Sequence, residues 1–258
     1  MRSLPTVFLS SLVLAPLSCV QAFELNQQLR LDVTPAIVSD YRASGLSQTQ
    51  GDPAAQLNLV LSHASGLYAG VWTSSVDFGF DSKTRQELEY YAGYYWQISE
   101  NISLDTYYTR YDFPRESDYN QSDVQALLDV YGVLLGAKYV SNIKGPDAWD
   151  EEGNFYKGDK DEDLASFLIG YRTQLPGEVG LEVRYEYVDY KDEVFFRNED
   201  QGRAQYRNWE VKLNRDFVGV TWGLSYIDTD LSKSECASFM GYDDLCGPTL
   251  VASASKTF

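Results

Sequence analysis

Alternation with a period of two recurs along almost the whole chain. Leu29, Leu31, Val33, Pro35 and Ile37 interleave with Gln28, Arg30, Asp32, Thr34 and Ala36. Successive side chains of a strand point to opposite faces, so this run predicts a strand with one apolar and one polar face. The same reading holds for 55–62, 87–97, 181–187, 209–214 and 218–226, and in weaker form for 67–78, 102–112, 126–134, 137–142 and 164–174. The tail, 249–258, makes a twelfth strand, with ten the nearest alternative count. Short turns are expected at His63–Gly66, Ser99–Asn101, around Leu135-Gly136, at Pro176–Glu178 and at Asn214–Asp216. Long polar segments fall at 42–53, 79–86, 113–124, 143–163, 191–206 and 228–248.

Short turns on one side and long loops on the other describe an up-and-down antiparallel β-meander. The all-β architecture that fits is a transmembrane β-barrel, with short periplasmic turns and long outer loops. A soluble sandwich or barrel alternates in the same way, but with the apolar face inside. Three features favour the membrane form. The chain ends in Phe258, an aromatic of the kind that barrel-assembly machinery reads in terminal strands. Tyr and Trp crowd the apolar faces near strand ends, as interfacial girdles require. The asymmetry of connections extends over the whole chain.

The first segment reads as an address. Met1-Arg2 is positive, Leu4 to Leu17 is apolar, and Val20-Gln21-Ala22 is a small-x-small cleavage site. Residues 1–22 are therefore expected to be a signal peptide and 23–258 the barrel. Loss of Arg2 with the leader takes the formal charge from −17 to −18. With 38 acidic residues against 21 basic ones, nucleic acid is not an expected partner, because phosphate binding needs a basic face.

Ser39-Asp40-Tyr41-Arg42-Ala43-Ser44-Gly45-Leu46-Ser47-Gln48-Thr49 is followed by Ser65-Gly66-Leu67-Tyr68-Ala69-Gly70-Val71-Trp72 and Ser75-Val76-Asp77-Phe78. With Tyr91-Ala92-Gly93-Tyr94 inside Glu87–Tyr95, these stretches resemble the TorF-type porin family of proteobacteria. The resemblance covers residues 38–96 and implies an outer-membrane barrel of unassigned transport substrate. The family usually carries an aromatic after the Asp-Tyr-Arg; here Ala43-Ser44-Gly45 takes its place.

Catalysis has little to work with. The one histidine, His63, falls in a predicted periplasmic turn, away from the outer rim where a Ser-His or Asp-His site would meet substrate. Glu87 with Glu89, and Glu182 with Glu186, are spaced like paired carboxylates, but Arg30, Arg172, Arg184 and Lys212 share the polar faces. A charge ladder across neighbouring strands is the plainer reading. The expected lumen lining is Arg30, Asp32, Glu87, Glu89, Asp105, Arg172, Glu182, Arg184, Glu186, Glu210 and Lys212. Twelve strands leave a narrower interior than general porins have.

Asp159-Lys160-Asp161-Glu162-Asp163 has calcium-loop spacing, but Leu164 and Gly170 stand where an EF-hand needs Gly and Glu. A solvated acidic loop is expected there, with a looser divalent site as the alternative, and no metal or cofactor is assigned. Cys236 and Cys246 are expected to form a disulfide in the last outer loop. The sequence thus predicts a narrow channel for passive diffusion of small solutes or cations. The alternative is a non-conducting barrel whose outer loops bind something. Outer-membrane lipid, lipopolysaccharide and the assembly machinery are the expected partners.

Overall fold

The computed structural model describes residues 23–79, 82–144, 148–149, 155–156, 161–198 and 200–258. The predicted leader lies outside the described residues, as do Asp159 and Lys160 and much of the acidic segment around them. Twelve long strands form the wall: β1 (Leu29–Val38), β2 (Ala54–His63), β3 (Leu67–Ser75), β4 (Gln86–Ser99), β5 (Ile102–Asp112), β6 (Gln121–Val130), β7 (Val133–Lys144), β8 (Asp161–Leu175), β9 (Val179–Tyr190), β10 (Gln205–Phe217), β11 (Val220–Thr229) and β12 (Thr249–Ser255). Each pairs antiparallel with its sequence neighbours, and β1 pairs with both β2 and β12, so the sheet closes on itself. Closure removes the free edges that an open sheet would expose.

The two faces of the wall follow the alternation. Ile37, Leu59, Leu61, Tyr90, Tyr94, Trp96, Phe167, Ile169, Val183, Trp222 and Leu224 point outward and are exposed. Asp32, Glu87, Ser103, Thr109, Asp123, Ser166, Asn208 and Ser225 point inward and are buried. An apolar exterior around a polar interior inverts the arrangement of a soluble domain.

Two of the short turns sit elsewhere than the sequence suggests. The β6–β7 hairpin turns at Tyr131-Gly132, with φ of 54° and 85°, not at Leu135-Gly136. The predicted strands 126–134 and 137–142 therefore become β6 and an uninterrupted β7, in which Leu134 is fully buried. Likewise β10 runs on through Asn214–Asp216 to Phe217, and the chain turns at Val218-Gly219. Both are two-residue turns with positive φ at each central position, the twist that matches flanking strands.

The β12–β1 seam is short. Its ladder covers Ser253↔Val38, Ala254↔Ile37 and Ser255↔Ala36. Beyond it, Lys256 N–H donates to the Pro35 carbonyl at 3.2 Å, while Phe258 and Val33 exchange backbone hydrogen bonds at 2.9 and 3.1 Å. Phe23–Glu24 pairs with Arg30 and Leu31 and extends the cover of this edge.

The connection between β1 and β2, residues 39–53, does not project outward: it folds into the barrel. At the long-loop end the last connection carries one helix, α1 (Lys233–Met240), capped at both ends by Ser232 and Gly241. Leu46 of the inward loop packs with Val140, Leu164, Val188, Phe195, Tyr206, Leu245 and the Cys236–Cys246 disulfide in a small apolar core. This core fastens the inward loop to both the wall and the last loop.

Candidate functional site

The inward loop is built around one carboxylate. Asp40 accepts hydrogen bonds from Arg42 Nε at 2.6 Å, Ser47 Oγ at 2.6 Å and Thr49 Oγ1 at 3.2 Å. The Arg42 and Asp40 side chains are 5% and 6% exposed, so this ion pair is withdrawn from solvent. Buried charges persist only when paired and hydrogen-bonded, and here the remaining donors of Arg42 reach the Gly45 and Gly247 carbonyls at 2.9 and 3.0 Å.

The loop also binds the wall at β10 and β11. Tyr206 Oη donates to the Ser44 carbonyl at 2.9 Å. Gly45, at φ 85°, lies so close to Asn208 and Thr229 that a side chain there would overlap them. The last loop grips from above: Ser47 N–H donates to the Leu245 carbonyl at 3.0 Å, and Thr229 Oγ1 to the Cys246 carbonyl at 2.7 Å. Tyr41 lies against Glu87 and packs on Trp72 with ring centroids 5.4 Å apart and the planes tilted by 59°.

Three cavities follow one another through the barrel. The upper one, about 600 Å³, opens between the long loops and is lined by Phe78, Phe113, Tyr119, Tyr190 and Phe239 together with Ala43 and Ser44. The middle one, about 340 Å³, is bounded by Arg42, Ser44, Lys138, Arg184, Glu186, Asn208 and Glu210. The lower one, about 470 Å³, is lined by residues of β2–β5, including Tyr68, Trp72, Glu89, Tyr91, Asp105 and Tyr107. Ser44 and Lys138 border both upper cavities, and Tyr107 borders both lower ones. The cavities therefore adjoin one another along the barrel, the smallest of the three beside the inward loop.

The sequence-predicted lumen residues divide among these sites. Glu89 and Asp105 line the lower cavity; Arg184, Glu186 and Glu210 line the middle one. Glu87 is buried beneath Tyr41. Arg172 and Glu182 share a recess at the short-turn end, where Arg172 pairs with Asp129 and Arg184 reaches back to Glu182. Lys212 stands opposite Glu182 in the ladder, and Arg30 pairs with Asp32 at 2.8 Å. His63 ends β2, its Nδ1 taken up by Ser65.

Composition and spacing missed Lys138, Asp123, Asp129 and Trp72, and gave no sign that Arg42 and Ser44 enter the barrel. One signal was present. Tyr68-Ala69-Gly70 and Tyr91-Ala92-Gly93 are the same tripeptide on adjacent antiparallel strands. In register, Tyr68 stands opposite Gly93 and Tyr91 opposite Gly70. Each tyrosine ring occupies the space over the other's glycine, where any Cβ would collide with it. The rings thus lie along the wall, 6.2 Å apart, and leave the lower cavity open.

A family model described as a bacterial protein of unknown function, Gcw_chp, matches residues 28–258. The chain belongs to the Gcw_chp family. Among curated proteins none matches the sequence. Among solved structures, the NanC porin is similar with a TM-score of 0.51 at 10% identity, over 88% of this chain and 98% of that one. The KdgM porin is similar at 0.47 and 9%, over 88% and 98%. OccAB4 of Acinetobacter baumannii is similar at 0.42 and 15%, over 92% and 64%. The likeness to the NanC porin is one of fold: this Gcw_chp chain is a closed twelve-stranded antiparallel barrel of the porin type.

Proposed function

We propose that this Gcw_chp chain is a channel of the Gram-negative outer membrane, with the short turns in the periplasm and the long loops outside. It passes small solutes or ions by diffusion. The observation that carries this reading is the closed barrel with an apolar exterior and a polar inner face that encloses a series of adjoining cavities. Lipid and lipopolysaccharide are the natural neighbours of such an exterior, and its aromatic residues suit the interfacial girdles of membrane barrels. The TorF-type motifs at 38–96 fit this assignment, since they build the inward loop and the tyrosine–glycine wall. Phe258, which helps close the seam, is the residue that the assembly machinery would read. The reading is non-enzymatic: His63 is held by Ser65 of its own turn and is not among the residues that line the three cavities.

A second reading has an observation in its favour. The inward loop is so fully anchored that the route narrows to the middle cavity, as in a barrel that holds its loops for surface binding without conducting. Reconstitution of the purified protein in a planar bilayer separates the two. Discrete conductance steps support the channel; persistent silence from folded protein supports the surface-binding barrel.

A further inference from the structure

We propose that the lower cavity is a binding site for small organic cations, alkylammonium groups above all. The inference rests on the channel reading, to which it adds a preferred solute. The cavity's wall presents the rings of Tyr68, Trp72, Tyr91 and Tyr107 with the carboxylates of Glu89 and Asp105, and no Lys or Arg lines it. A cation over an aromatic face is drawn to the ring's negative quadrupole, and more strongly where water is partly excluded.

The hydrogen bonds favour a cation over a neutral polyol. The tyrosine hydroxyl protons are already committed, so a sugar would find acceptors there but no tyrosine donors. Tyr68 donates to Asp105 at 2.7 Å, Tyr91 to Asn58 at 2.6 Å and Tyr107 to Gln125 at 2.9 Å. What remains available to a ligand is chiefly ring faces and negative charge. Among the described residues, Glu89 borders the cavity and makes no hydrogen bond or close ion pair, the one base that acts on it being Lys138 at longer range. A confined carboxylate without a partner is costly, and an entering cation supplies the partner. Lys138 lines the two cavities above, not this one. Anions meet carboxyl groups and no lining base there and are disfavoured.

The test is equilibrium binding to the whole folded barrel in detergent micelles, by isothermal titration calorimetry. The probes are tetramethylammonium chloride, sodium chloride, glucose and sodium glucuronate. Saturable binding of tetramethylammonium alone is expected. Glu89→Gln should weaken it about tenfold, the loss of one well-placed electrostatic contact. Tyr91→Phe should keep it and Tyr91→Leu should lose it, because the ring face and not the hydroxyl is used. Heat-modifiable gel mobility identifies folded variants, and Asp105→Asn serves if Glu89→Gln fails to fold. No saturable tetramethylammonium binding, or glucose binding that Tyr91→Phe abolishes, overturns the proposal. The channel reading is judged separately by conductance: a silent barrel that binds tetramethylammonium sinks the channel and keeps the site, while a conducting barrel that does not bind it sinks the site alone.

Discussion

At the scale of single residues, the strongest consequence of the fold is that neighbours in sequence tolerate opposite changes. Leu59 and Val183 face outward and are exposed, whereas Asn58 and Glu182 line cavities within the barrel. Leu59→Arg and Val183→Arg should each cost ~2–4 kcal/mol if they fall near the bilayer midplane. Asn58→Arg and Glu182→Gln should cost less, because both positions belong to the polar inner face. Urea unfolding of the four variants in lipid vesicles measures this, and the reverse ordering would mean that the apolar face is interior. This face assignment was legible in the sequence, since a period of two leaves only the sign of the inside to be chosen. The cavity residues were less so. Asp40, Arg42 and Ser44 lie in a polar stretch, and polarity alone reads as solvated loop; only the reciprocal bonds of Asp40 reveal a buried hub.

At the scale of elements, the misplaced turns have a common cause. Tyr131 and Val218 hold positive φ, a region such side chains seldom occupy, and both residue types read as strand. Gly136 and the polar run Asn214–Asp216 looked like turns but continue strands. The inward loop was hidden for a different reason: its placement depends on the last loop, about two hundred residues away, through Ser47–Leu245 and Arg42–Gly247. The disulfide holds the Leu245–Gly247 segment to α1. Replacing both Cys236 and Cys246 by Ser should loosen the inward loop and raise single-channel conductance and its noise, while the folded band on gels persists. Unchanged traces would show that the wall contacts of Ser44 and Gly45 suffice. Acid should loosen the same end. Burial pushes the Glu235 carboxyl up, but hydrogen bonds from Ser232 and the nearby Arg203 and Arg197 outweigh it and hold the group below its ordinary range. A depressed pKa contributes stability that is complete above the unfolded value of about 4.3 and is lost as pH falls through the folded value. Hydrogen exchange of the α1 amides, corrected for intrinsic rate, should therefore stay constant from neutral pH to the unfolded value and accelerate only under stronger acid. Loss of protection already at neutral pH would assign the helix's stability elsewhere.

For the whole molecule, closure and charge are the two properties no single strand contains. The β12–β1 seam is the shortest in the barrel wall, and Phe258 adds two backbone hydrogen bonds to it. Deleting Phe258 should lower the yield of folded protein in the membrane, measured by heat-modifiable mobility, and an undiminished yield would leave the seam to Phe23–Glu24 and the ladder. Charge is distributed with a similar asymmetry. The formal charge of −17 suggested an acidic mouth, but in the last loop Asp230 and Glu235 are bridged by Arg203, at 3.3 and 3.0 Å. Arg207 also reaches Asp230 at 3.2 Å, so much of that field is cancelled. Inside, the wall formed by β4–β6 carries Glu87, Glu89, Asp105 and Asp123, whose described partners are mostly tyrosine hydroxyls and amides rather than cations. Two bases stand nearby, Lys138 on the adjoining strand β7, opposite Gln125 in the ladder, and Arg184 on β9. Acidic groups thus outnumber the bases along this stretch of the lumen, where screening by salt is least effective. The channel should therefore be cation-selective, and the zero-current potential across a salt gradient should show it. Glu89→Gln with Asp105→Asn should move that potential toward zero, whereas neutralising the acids of 147–163 should matter less, and less still at high salt. An anion-selective potential in the unmodified protein would refute the assignment, and selectivity that vanishes only with the outer acids would return the determinant to the mouth.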